Sequence, residues 1–135
     1  MLSLIIEVLT LNKNMESNAN LQDVQGEEYS LHYDAETSTV FFEGSLSLAG
    51  LEDFAPVVNL LNTVLDSAPP RLILNLRQLE FLNSSGISIL SRFVIKARGQ
   101  AETTLMLHGS ESIIWQKRSL RNLQRLMPAL GIEWA

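Results

Sequence analysis

The stretch Arg71-Leu72-Ile73-Leu74-Asn75-Leu76-Arg77-Gln78-Leu79-Glu80-Phe81-Leu82-Asn83-Ser84-Ser85-Gly86-Ile87 decides the fold. It opens with an apolar run, Leu72 to Leu76, dense enough to be buried on both faces, as in a central parallel strand. It ends in Asn-Ser-Ser-Gly, after which Ile87, Leu90, Val94 and Ala97 recur at helical spacing. The reading is strand, short connection, then a helix over Ser84 to Arg98 whose first turn carries two hydroxyls, with Gly99 as its stop. A helix start has free N–H groups and a partial positive charge, which favours a phosphate.

The flanks extend this pattern. Tyr29 to Tyr33 and Thr39 to Glu43 read as a hairpin around a turn at Asp34–Ser38, with Gly44 ending it. Leu51 to Asp66 places Leu51, Phe54, Val58, Leu61 and Leu65 on one helical face. Pro56 is harmless there if the helix begins near Leu51 to Asp53, because first-turn N–H groups have no intrahelical partner to lose. Ser67-Ala68-Pro69-Pro70 stops that helix. Thr103 to Leu107 reads as a strand, Ser110 or Glu111 to about Met127 as a helix, and Leu130 to Trp134 as a final strand or packed tail. Strand–helix–strand units imply parallel crossovers. The fold class is therefore α/β: one domain, a mixed and mainly parallel sheet with three helices on one or both faces, in the order β-β-α-β-α-β-α(-β).

A chain of 135 residues suits one domain with a real core. Residues 29–135 form that domain, and residues 1–28 read as an N-terminal extension and linker. Its run Met1 to Leu11 is apolar but broken by Glu7 and lacks the basic start of a signal peptide. Met15 offers a second start. No segment is long enough to span a bilayer. There is no cysteine, which excludes disulfides, a thiolate nucleophile and cysteine-bound zinc and fits a cytoplasmic location. The net charge of −5 is uneven. Residues 1–66 carry eleven acids and one base, whereas residues 71–135 carry four acids and nine bases. An acidic chain is a poor general binder of nucleic acid.

Three constellations invite chemistry. In the Asn83-Ser84-Ser85-Gly86 turn, a purely structural reading has Asn83 or Ser84 capping the helix and Gly86 allowing close strand–helix approach. Ser84 is the better-placed serine cap, and Ser85 projects outward. An esterase nucleophile elbow would need glycine two residues before the serine, where Asn83 stands, and neither His32 nor His108 follows a triad order. Two histidines without a ligand pattern make no metal site, and no Walker loop is present, so no cofactor or metal is expected. The basic face Lys117, Arg118, Arg121, Arg125 reads as a solvated helix face, or as a docking surface for an acidic partner. Trp115 and Trp134 read as packing residues.

The segment Leu72 to Leu76, with Leu79-Glu80-Phe81-Leu82-Asn83-Ser84-Ser85-Gly86-Ile87-Ser88-Ile89-Leu90, resembles the signature of the STAS family, the anti-sigma-factor antagonist domains of bacteria. The element order is similar too, so the resemblance covers roughly residues 29–127. It implies a non-enzymatic interaction switch whose partner is an anti-sigma factor or serine kinase. The hydroxyl before the glycine, Ser85, would be the phosphoacceptor, and Asn83, Ser84, Ser85, Gly86 and Ser88 would form the partner-binding surface. The family's turn usually starts with aspartate. Asn83 still caps but carries no charge, and acceptor chemistry at Ser85 does not need the acid, because a kinase supplies base and nucleotide. The competing reading is a constitutive protein- or ligand-binding module that is never phosphorylated.

Overall fold

The computed structural model describes residues 23–135. In chain order these form β1 (Asp23–Gln25), β2 (Tyr29–Asp34), β3 (Thr39–Leu46), α1 (Leu51–Asp66), β4 (Arg71–Leu82), α2 (Ser84–Arg98), β5 (Thr104–Gly109), α3 (Ile114–Leu126) and β6 (Gly131–Trp134). The six strands make one sheet in sequence order, β1-β2-β3-β4-β5-β6. The first two pairings are antiparallel and the remaining three parallel. This is the expected α/β, STAS-like architecture, with one strand more at the front. Three successive crossovers of one hand, each to the adjacent strand, put all three helices on one face of the sheet. Among the described residues the layer is therefore helix on sheet, with no helix on the opposite sheet face.

The central strand shows that asymmetry. Leu72, Leu74 and Leu76 are fully buried toward the helices. They meet Phe54, Leu61 and Leu65 of α1, Leu90, Phe93 and Val94 of α2, and Leu120 and Leu123 of α3 in one core. Ile73 and Asn75 point the other way, and Ile73, though mostly covered, is outside that core. The apolar run of β4 is thus buried fully on one face and only partly on the other.

Several boundaries differ from the sequence reading. Asp23–Gln25 lies in what reads as linker, yet it pairs with β2, Val24 opposite Leu31. Three residues are too few to show an alternation, so the sheet begins earlier than the periodicity indicates. The expectations for Met1 to Leu11 and for Met15 fall outside the described residues. Gly44 does not end β3 but bulges it. Its φ is +87°, the β3–β4 register shifts beside it, and a Cβ there would lie 2.2 Å from the Glu28 carbonyl oxygen. Glycine alone takes that conformation without strain. Pro56 is the sixth residue of α1, not a first-turn residue, so the Glu52 carbonyl loses an intrahelical donor there. The buried face of α1 is also rotated: Phe54, Val57, Leu60, Leu61, Val64 and Leu65 are buried, whereas Leu51 is 61% exposed. Helix α3 starts at Ile114, later than expected, because Ser110 to Ser112 form a hydroxyl-bonded turn first.

β4 outruns β5. Their ladder ends at Asn75 opposite His108, but β4 continues to Leu82. The carbonyls beyond need other donors. The buried Gln116 gives its amide to the carbonyls of Leu76 (2.6 Å) and Leu79 (3.1 Å), and its Oε1 accepts from Ser110 N–H. Trp115 Nε1 donates to the Glu80 carbonyl, and Arg77 Nε donates across to the Gly109 carbonyl. No helix among the described residues is long and apolar enough to cross a membrane.

Two outcomes are expected. Replacing Gln116 with Leu strips three buried polar groups of their partner and is expected to cost about 3 kcal/mol in denaturant unfolding with an unchanged slope. A cost under about 0.5 kcal/mol, as at a surface site, would show that the β4 carbonyls find water instead. The second concerns pH. Burial, with Arg77 and Arg71 nearby, lowers the pKa of His108 below 6.5, and Glu133 offsets this in part. The native state thus favours neutral His108. Its contribution is complete above pH 6.5 and is lost as pH falls through the lower folded value. His108→Gln is expected to flatten the fall in stability just below pH 6.5, read from thermal midpoints across pH 5 to 8.

Candidate functional site at the start of the second helix

The turn closing β4 is held by one side chain. Asn83 has extended backbone and caps α2, its Oδ1 accepting from Gly86 N–H at 2.9 Å. Its amide Nδ2 donates to the Leu48 carbonyl at 2.9 Å, in the loop between β3 and α1. Asparagine can accept at one end and donate at the other. An aspartate could cap equally well, but its second oxygen would face the Leu48 carbonyl as acceptor against acceptor. The cap is therefore Asn83 and not Ser84, and the same residue staples the β3–α1 loop to the start of α2.

Gly86 works as the sequence suggests. A Cβ there would lie 2.3 Å from Leu82 Cδ1, so its absence lets α2 start hard against the end of β4. Ser84, the first residue of α2, is exposed, and Ser85, the second, is half-buried. Ser88, one turn on, is exposed. Among the described residues these three hydroxyls make no hydrogen bond, whereas Ser91 binds back to the Ile87 carbonyl.

The two serines of the turn part company. Ser85 lines a cleft of about 240 Å³ with Ser88, Ile89 and Arg92 of α2 and Gly50, Leu51 and Phe54 at the start of α1. Ser84 does not line it. Among the described residues the cleft lining contains no histidine and no carboxylate that could take a proton from Ser85. His32 pairs with Asp23 across β1 and β2, and His108 faces Glu133 at 3.2 Å on the far side of β4. Among the described residues no cluster of histidine and carboxylate side chains could hold a metal.

The electrostatics favour an anion. The first turn of α2 has no acid. Its free N–H groups carry partial positive charge. Arg92 lies four residues after Ser88 and seven after Ser85, on the same helix face, and helical side chains lean toward the N-terminus. The sequence reading missed Arg92 and the Leu48 loop. The spacing that places Arg92 beside Ser88 was visible, but nothing local marked the loop as a partner of Asn83. The basic residues Lys117, Arg118, Arg121 and Arg125 are exposed on α3 and form no part of this cleft. Trp115 and Trp134 pack against the core, as expected.

No protein-family model matches the chain, and no curated protein matches it. Solved structures do. The backbone superimposes on a chain of the crystal structure of diguanylate cyclase SiaD in complex with its activator SiaC from Pseudomonas aeruginosa, with a TM-score of 0.62 and 15% identity over 84% of this chain and 98% of that one. A structure of SiaC from the same organism matches with a TM-score of 0.56 and 15% identity, covering 84% and 93% of the two chains. The apo-SiaC crystal structure gives 0.54 and 16% identity, covering 84% and 96%. The shared property at this identity is the fold.

Unfolding of three variants separates the capping roles. Asn83→Ala is expected to cost about 1–2 kcal/mol. Asn83→Asp, which keeps the cap and loses the bond to Leu48, is expected to cost about 1 kcal/mol. Ser84→Ala is expected to stay within about 0.5 kcal/mol of the parent. A Ser84→Ala loss as large as that of Asn83→Ala would mean that Ser84 shares the cap.

Proposed function

We propose that this protein is a non-enzymatic regulator that acts by binding another protein at the start of α2, and that phosphorylation of Ser85 controls the binding. The observation that carries this is the placing of Ser85: half-buried, hydroxyl unengaged, at the positive end of a helix, in a cleft with Arg92 and no base of its own. A serine so placed can receive a phosphoryl group and hold it, but has nothing with which to attack a substrate unaided.

The partner-facing surface comprises Asn83, Ser84, Ser85, Gly86 and Ser88. Unmodified, it is uncharged. A phosphate adds about −1.5 to −2 charges, which the α2 N–H groups and Arg92 accommodate without unfolding the helix. A docked partner then faces a charge where it met neutral hydroxyls, and the complex weakens. The STAS resemblance supports an anti-sigma factor or serine kinase as partner, in the cytoplasm. The fold shared with SiaC, described as the activator of a diguanylate cyclase, widens the partner class to other signalling enzymes. Asn83 favours a second reading, a constitutive binding module, because the turn lacks the family's acid.

The test is phosphosite mapping by mass spectrometry after incubation with ATP and lysate of the native host. It is run on the parent, Ser84→Ala and Ser85→Ala, with binding titrations against the captured partner. Phosphate is expected on the parent and on Ser84→Ala, and not on Ser85→Ala. Ser85→Ala is expected to bind like the parent and Ser85→Asp more weakly. Phosphate on Ser84, or on neither serine, with Ser85→Asp binding unchanged, would leave the constitutive module as the better account.

A further inference from the structure

The cleft at Ser85 opens into a longer groove. Between α1 and α2 lies a channel of about 360 Å³ that shares Leu51, Ile89 and Arg92 with it. Its walls are apolar: Leu51, Ala55 and Val58 on α1 and Ile89 and Phe93 on α2. Arg92 and Lys96 line the α2 side, and Asn59 and Asn62 the α1 side. Lys96 is already paired with Asp66 at 3.7 Å, while Arg92 has no acid within ion-pair distance among the described residues. An apolar trough with one uncommitted cation asks for an apolar segment carrying an acid.

The chain contains such a segment. Met1 to Leu11 has eight apolar residues out of eleven and a single charge, Glu7. The described chain also begins in the right place. Asp23, Val24 and Gln25 of β1 line a second cleft against α1, and Asn59 belongs to both that cleft and the groove. One helix separates the entry of the chain from the groove, a width of about 10–12 Å. The intervening residues 12–22 reach up to about 35 Å when extended, ample for that crossing. On α1 the groove runs from Leu51 to Asn62, about 17 Å at the helical rise, a length that eleven residues cover whether coiled or extended.

We infer that Met1–Leu11 docks in cis into the groove between α1 and α2, with Glu7 toward Arg92. The docking itself needs nothing of Ser85. Its consequence rests on the reading above: the seated segment shares Leu51, Ile89 and Arg92 with the partner-facing cleft, so it competes with a partner for that end of the molecule.

The absence of cysteine makes a direct test simple. The full chain carrying Ser3→Cys, labelled with a nitroxide, is studied by amide NMR before and after reduction of the label. The expected result is loss of the Asn59, Asn62, Ile89 and Phe93 signals, with those of Leu105 and Ile132 retained. Adding Ile6→Asp or Glu7→Lys should restore the groove signals. A mixed sample, labelled chain without isotope and isotopic chain without label, should show no such loss. Equal loss in the mixed sample would assign the groove to a second copy and overturn the inference. Retention of the groove signals in the singly labelled chain, or loss elsewhere only, would overturn it too. No kinase or partner is present, so the outcome is independent of the fate of Ser85.

Discussion

The buried amide of Gln116 carries a burden that no apolar residue could take over. A strand of twelve residues beside one of six leaves a row of carbonyls facing protein rather than a ladder. Buried backbone acceptors without donors are expensive. Gln116 closes that gap at Leu76 and Leu79 and at the same time receives the N–H of Ser110, fixing how α3 begins. The long β4 then delivers Asn83 and α2 at a defined height above the sheet. Together with Trp115, which donates to the Glu80 carbonyl, the clamp sets the strand end that carries the candidate site relative to α3.

At the site, the choice between asparagine and aspartate has a structural content beyond charge. The Asn83 amide makes the start of α2 and the loop before α1 one unit. Gly50 and Leu51, which line the Ser85 cleft, follow that loop directly. An acid in the same place would add negative charge next to the Ser85 hydroxyl and oppose any anion held at the helix start. The amide removes that opposition and holds the cleft wall. An asparagine at this position thus makes the helix start more tolerant of an anion than an aspartate would.

The elements that were legible in the sequence are those with a long period. Sixteen residues of α1 and the fifteen of α2 were readable end to end, because apolar positions repeat over three or four turns. β1 was not, since three residues have no period. The phase of α1 was misjudged by less than one position, and the cost falls on Leu51 and Val58: both read as core, yet both line the groove. Gly44 was taken as a stop because glycine usually punctuates strands, and a bulge uses the same residue without ending the ladder. The serine turn was plain as a helix start, but which side chain capped it depended on Leu48, thirty-five residues away. Long-range partners of that kind leave no local trace.

The edges of the sheet limit how this molecule meets others. β1 offers three residues and β6 four, and each carries an exposed acid, Asp23 and Glu133. A foreign strand adding to either side would gain only a few ladder bonds and would run past charged side chains. Among the described residues, sheet extension, the common route to uncontrolled self-association, is therefore disfavoured at both edges. On the helical layer, by contrast, recognition depends on side-chain shape and charge rather than on backbone pairing, and is correspondingly selective.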